Sequence, residues 1–128
     1  MSFESFAHVP ITKELLRHVW EGEVDPTQGG HRYGLGREGK TEFPEHWDID
    51  VLRQSIRLTL DKPQAIRVKS PYIYCDRVVA QVLIRVRLFR AQTTVKILAA
   101  YPICGEGVVR NQSGRRINLP LDLSRLET

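Results

Sequence analysis

The hydrophobic period of this chain changes once, near Gln64, and that change limits the folds open to it. Before it, apolar residues recur at helical spacing. In "ITKELLRHVWEG" Thr12 is placed to cap a short helix after Pro10, Leu15, Leu16, Val19 and Trp20 form one arc with Ile11, and Gly22 ends it. Asp48 is the expected cap of a second helix running to about Leu60, where Ile49, Leu52, Ile56 and Leu60 share a face and Pro63 stops the chain. After it the period is two. In "VVAQVLIRVRLFR" Val82, Ile84, Val86 and Leu88 face one way, and Gln81, Arg85 and Arg87 face the other with Leu83 and Phe89. "TVKILAAYPI" places Val95, Ile97, Ala99, Tyr101 and Ile103 on one face, and the short gap between these two runs predicts an antiparallel hairpin. "AIRVKSPYIYC" reads as an edge strand, since Pro71 has no N–H for a ladder. "GVVRNQSGRRINL" reads as a final hairpin turning at Ser113-Gly114. Helices first and strands later predict an α+β fold: N-terminal helices and a long glycine-rich loop packed on a C-terminal antiparallel β-sheet.

At 128 residues the chain is expected to form a single domain, residues 1–128. No apolar run approaches the roughly 20 residues that span a bilayer, so no membrane partner is expected. "MSFESFAHVPITKE" has neither a basic n-region nor an apolar h-region, so no signal peptide is expected; a domain cut from a longer secreted protein lacks one too. Without a secretory signal, Cys75 and Cys104 are expected as reduced structural thiols. The net charge of +4 hides an asymmetry: residues 1–61 carry 7 Lys/Arg and 11 Asp/Glu, and residues 62–128 carry 12 and 4. A basic half suits a polyanion such as RNA, and the same count also describes solvated strand faces rich in arginine.

Between the helices, residues 21–46 are rich in glycine and show no periodicity, and a loop this long inside a compact domain tends to carry function. It contains "GLGREGKT", which satisfies the letter of the phosphate-binding pattern G-x-x-x-x-G-K-[ST]. The pattern works only between a buried strand and a helix that starts at its Lys-Thr end. Upstream, "EVDPTQGGHRY" offers no four-residue apolar run, and downstream Pro44 opposes a helix begun at Lys40. The context rejects a nucleotide loop.

A different group remains. His18 lies at a helix end, His31 follows a Gly-Gly pair, and Lys40 closes the glycine-rich segment. Two histidines and a cation supply what metal-free RNA cleavage needs: a base for the ribose 2′-OH, an acid for the leaving 5′-oxygen, and a positive charge for the phosphorane. Imidazole suits both proton transfers because its unperturbed pKa lies near 6.5. Two histidines in such a segment are also common as surface or packing residues. Zinc ligation competes, but no Cys or third His has suitable spacing. Lys69, on the expected edge strand, is an alternative cation, and His8 and His46 are expected at the surface.

"HVWEGEV…GGHR" followed by "GLGREGKTEFPEHW" closely resembles the bacterial EndoU-type endoribonucleases. Their domains show a His-x-x-x-Gly-acidic segment, then Gly-Gly-His, then a G-x-x-GK-[ST]-x-FP-x-x-W stretch, and "AAYP" at Ala99 to Pro102 resembles their closing Thr-x-Tyr-Pro motif. The resemblance spans about Leu15 to Ile103. It implies cleavage of single-stranded or loop RNA, preferentially at uridines, leaving 2′,3′-cyclic phosphate ends. Carried over by motif, His18 and His31 are the catalytic histidines, with His31 as base and His18 as acid. Lys40 is the catalytic lysine, and Tyr101 takes the place of the tyrosine that lies against uracil; a core tyrosine on the apolar strand face is its alternative. Arg32, Thr41, Thr94 and Tyr101 are the candidates for substrate contact. Ala99 departs from the family threonine, so its hydroxyl would have to be met by another group such as Thr41 or Thr94, or uridine preference is relaxed. The resemblance implies no required cofactor, although some relatives are stimulated by Mn²⁺, and no carboxylate cluster here compels a metal site. Its implied partners are RNA and, for a toxin tip, an inhibitor protein. Its implied location is the cytoplasm, or delivery by secretion within a longer toxin. A catalytically silent RNA-binding module of the same fold is the alternative function.

Overall fold

The computed structural model describes residues 6–126. Helix α1 (Lys13–Trp20) starts where expected: the Thr12 hydroxyl accepts the Leu15 N–H at 3.0 Å. Its buried side is Leu15, Leu16 and Val19, and Gly22 follows its end at φ +83°. Helix α2 (Ile49–Asp61) is capped by Asp48, whose carboxylate accepts the Val51 N–H at 2.9 Å. Leu52, Ile56 and Leu60 are fully buried, each contributing about 1.5–3 kcal/mol. Ile49, expected on that face, is 41% exposed at the first helical position, where the chain has not yet reached the core. Ser55 and Thr59 complete the buried side, with the Thr59 hydroxyl donating to the Ser55 carbonyl.

The expected single C-terminal sheet is two antiparallel sheets. One has the order β2-β3-β4-β5, formed by β2 (Ala65–Lys69), β3 (Tyr72–Val79), β4 (Val82–Ala91) and β5 (Thr94–Gly105). The other has the order β1-β6-β7, in which β1 (Thr41–Glu42) from the glycine-rich segment pairs with the hairpin β6 (Val109–Gln112) and β7 (Arg115–Asn118). Residues 21–46 therefore do not form one unbroken loop: a two-residue strand ties them to the C-terminal hairpin. That hairpin turns at Ser113-Gly114, as expected.

"AIRVKSPYIYC" is a hairpin and not one edge strand. Pro71 sits in the turn between β2 and β3, where no ladder donor is required, and β2 is the sheet edge. "VVAQVL" likewise hides a reversal. Ala80 and Gln81 both take left-handed φ, 50° and 67°, as a two-residue turn with this twist requires. The usual Asn-Gly or Gly signal is absent there, so only the sheet reveals the turn.

Strand β5 also corrects the sequence reading. Leu88 pairs with Ile97 but Arg87 pairs with Ala99, so one residue, Leu98, is bulged out of register. Val95 and Ile97 pack against the main core beneath the helices, together with buried Val86, Leu88 and Ala100. Ala99 and Tyr101 pair with Arg87 and Arg85 on the opposite face. The five residues expected on one face are divided between two. A smaller cluster of Leu83, Ile103 and Cys104 occupies one end of this second face, covered by Leu119, Leu121 and Leu126. Cys75 and Cys104 are both buried, one in each cluster. No helix among the described residues is long and apolar enough to cross a membrane.

Candidate active site

The last carbonyls of a helix lack partners within it. In α1 they are met by three successive N–H groups of the following segment: Gly30 donates to His18, His31 to Val19 and Arg32 to Trp20, at 3.1, 2.7 and 3.0 Å. This seats His31 beside the helix end that carries His18. The approach needs glycine: Gly29 has φ +70°, and a Cβ there would lie 2.1 Å from the His18 carbonyl oxygen.

His31 is 6% exposed. Its Nδ1–H donates to the Thr41 carbonyl at 2.7 Å, which leaves Nε2 as the basic nitrogen of the neutral ring. Burial pushes its pKa down to about 4; the bond to Thr41 opposes the shift, and the charges of Lys40 and His18 add to it. The ring stacks with Tyr101 at 5.8 Å between centroids and 27° between planes. His18 Nδ1 lies 2.9 Å from a carboxylate oxygen of Glu23, which also pairs with Arg17. The hydrogen bond from His18 is the main cause that holds the Glu23 carboxyl below its usual range.

Lys40 is held by β6. The Gly39 N–H donates to the Asn111 carbonyl at 2.7 Å, and the Asn111 N–H donates to the Lys40 carbonyl at 3.0 Å. Burial, then the charges of Arg37 and Arg87, lower the pKa of its ammonium group.

The glycines of "GLGREGKT" do enclose an anion, and it is the chain's own. Gly34 and Gly36 each donate an N–H to the carboxylate of Glu42 at 2.8 Å. Asn111 Nδ2 adds a bond at 2.8 Å and Arg116 one at 2.6 Å. Glu42 is fully buried, and burial alone would raise its pKa; Arg116 and the surrounding N–H donors outweigh that and hold it down to about 2. Lys40 leads into strand β1 and no helix starts there.

These elements surround a cavity of about 430 Å³. His18, His31, Lys40, Thr41, Ala99 and Tyr101 line it. Arg87, Arg110 and Arg125 do as well, and among the described residues no Asp or Glu does. The wall is a concentration of positive and neutral donors suited to a phosphate. Tyr101 is only partly buried, with its ring against His31 and not in the main core. Two expected contacts lie elsewhere. Thr94 sits at the β4–β5 hairpin with its hydroxyl donating to Ala91, and Arg32 Nε lies 3.2 Å from Glu21. Lys69, at the end of β2, does not line the cavity either, and His8 and His46 are exposed.

Sequence reasoning gave no role to Arg87, Arg110 and Arg125 in the cavity wall, to Glu23 behind His18 beyond its place in the motif, or to Glu42 and Asn111 in the network that supports Lys40. Arg87 carried a signal, because it alternates out of the core face of its strand. Glu42 carried none: a charged residue in a glycine-rich segment looks solvated until its donors are seen. Among the described residues no group of three or more His, Cys, Asp or Glu is placed to hold a metal ion. The cavity wall, cationic and without carboxylates, does not fit Mn²⁺, so no chemical step is routed through a metal. No protein-family model, curated protein or solved structure matches the chain.

Proposed function

We propose that the chain is an EndoU-like endoribonuclease that cleaves single-stranded or loop RNA, with preference for uridines. One observation carries the reading: His18, His31, Lys40 and Tyr101, singled out by four separate motifs, line the same cavity. Neutral His31, its Nδ1 proton committed to Thr41, is the base. Nε2 takes the proton of the ribose 2′-OH, and the 2′-oxygen attacks the phosphorus in line. His18, with Glu23 behind its Nδ1, protonates the departing 5′-oxygen. The Lys40 ammonium stabilises the extra negative charge of the phosphorane. The products are a 2′,3′-cyclic phosphate and a free 5′-hydroxyl. Burial and, after it, the positive neighbours depress His31, and the negative substrate phosphate favours the protonated ring and so opposes both. Tyr101 offers its ring to uracil, and Thr41 supplies the hydroxyl that Ala99 lacks, since Thr94 lies outside the cavity. RNA is the partner, with an inhibitor protein where the domain arms a secreted toxin.

The test incubates a uridine-containing RNA oligonucleotide with the protein in EDTA, and in parallel with Mn²⁺, and identifies the ends by mass spectrometry. Cyclic phosphate at uridines is the expected product in EDTA. Cleavage of the same strand made with 2′-deoxyribose throughout would sink the mechanism, because no 2′-nucleophile remains. Each of His18→Ala and His31→Ala is expected to lower the rate about 10²–10⁴-fold.

A further inference from the structure

The cavity opens onto a sheet face that the catalytic reading does not use. Register across the four-stranded sheet sets its side chains in rows. One row is Arg67, Tyr74, Arg87 and Ala99, and the next is Lys69, Tyr72, Phe89 and Lys96. Both lie on the face away from the helices, since Ile73, Leu88 and Ile97 of the intervening row pack into the main core.

This face is built from cations laid on rings. The Arg67 guanidinium sits 4.8 Å from the Tyr74 centroid, Arg87 5.7 Å from Tyr72, and Lys96 Nζ 5.9 Å from Phe89. Tyr72 and Phe89 meet edge to face at 5.8 Å. Tyr72 is 38% exposed, and Lys69 and Lys96 are exposed. The two rows hold four cations and no acid. Asp76, in the row beyond, is buried and paired with Arg85 at 2.9 Å. Arg87 and Ala99 belong both to the first row and to the cavity wall, so the two surfaces are continuous.

We propose that this open face is a platform for the single-stranded RNA flanking the cleaved bond, a role that rests on the nuclease reading above. Successive rows are about 6.5 Å apart, two residues along a strand. Exposed rings on a four-stranded antiparallel sheet stack two or three bases in known modes of RNA recognition, and every base has a face to offer. The interleaved arginines and lysines meet the phosphates between those bases. Cleavage specificity at the cavity is thereby separated from affinity, most of which comes from sequence-tolerant contacts on the sheet.

The experiment measures binding by fluorescence anisotropy, using strands carrying 2′-deoxyuridine at every uridine so that they are not cut. An octamer is expected to bind about tenfold or more tightly than a dinucleotide. The double variant Lys69→Glu/Lys96→Glu, changed at two exposed positions, is expected to remove most of that advantage. It should also reduce the slope of log affinity against log salt by about 1.4, two phosphate contacts on a single strand. Tyr74→Leu is expected to weaken the octamer about fivefold or more. Equal affinity for octamer and dinucleotide, or octamer binding untouched by these variants, overturns the platform. Length-dependent binding that these variants abolish, in a protein that cuts no RNA, upholds the platform and rejects the nuclease reading alone.

Discussion

His31 donates its Nδ1 proton to the carbonyl oxygen of Thr41 at 2.7 Å, and that bond settles which ring nitrogen remains basic. It also ties the Gly-Gly-His segment to strand β1, directly after Lys40. The ring is buried, and burial leaves it neutral down to about pH 4.

The pH dependence of stability follows from this. The folded pKa is about 4 and the unfolded reference is 6.5, so the unfolded chain binds more protons between those values. The contribution is complete above pH 6.5 and is lost as pH falls toward 4, about 3 kcal/mol in total. Urea unfolding at pH 7, 5.5 and 4 checks it. Wild type should lose stability across this window more steeply than His31→Gln, and parallel curves would contradict the assignment. Glu42 acts below that range: its depressed pKa, about 2 against 4.5, makes its contribution fall as pH drops from 4.5 toward 2.

Glu42→Gln should reach the site without touching it. The carboxylate joins Gly34, Gly36, Asn111 and Arg116, and the backbone of Asn111 brackets Lys40. Replacing the charge leaves Arg116 and one glycine N–H poorly matched, at a cost of about 2 kcal/mol, less than a fully buried pair because Arg116 is partly exposed. RNA cleavage should fall about tenfold in kcat, through displacement of Lys40. Full activity with lowered stability would show that the network supports the fold alone.

The glycines should separate into two classes. Gly29→Ala puts a methyl group 2.1 Å from the His18 carbonyl at a left-handed φ, and is expected to cost about 3 kcal/mol and to abolish cleavage. Gly36→Ala meets nothing within 4 Å and carries only the penalty of φ +69°, about 1–2 kcal/mol. Thermal unfolding of the pair ranks them, and the reverse order would reject this account of the Gly-Gly pair.

Tyr101 is expected to act in binding more than in chemistry. Tyr101→Ala removes a ring worth about 1–3 kcal/mol to a stacked base, raising KM about fivefold or more, and Tyr101→Phe should retain most affinity. Steady-state cleavage of a uridine dinucleotide decides it. A fall in kcat alone in both variants would place the hydroxyl in the reaction instead.

Much of the local structure was legible along the chain because its causes are local. Thr12 and Asp48 cap the helices expected of them, and the burial of Leu15, Leu16, Val19, Leu52, Ile56 and Leu60 follows a period that one short stretch displays. The positions of His18, His31, Lys40 and Tyr101 were equally plain, as types in ordered motifs. Their meeting was not, since nothing in the interval between two motifs states a distance. Thr94 looked as eligible as Thr41 until the hairpin placed it outside the cavity.

The sequence by itself determined the helices, the switch to strands, the failure of "GLGREGKT" as a nucleotide loop and the residue types that a phosphate chemistry needs. Tertiary structure alone decided the rest. The bulge at Leu98 turned Ala99 and Tyr101 away from the core, because one extra residue in a period of two reverses the side chains that follow, here as far as a second shift at Ile103. Glu42 became the anion that Gly34 and Gly36 surround, because a buried carboxylate must find donors and these come from other segments of the chain. Periodicity reports which side of an element is apolar, whereas the partner of a polar group is fixed only when distant segments close around it.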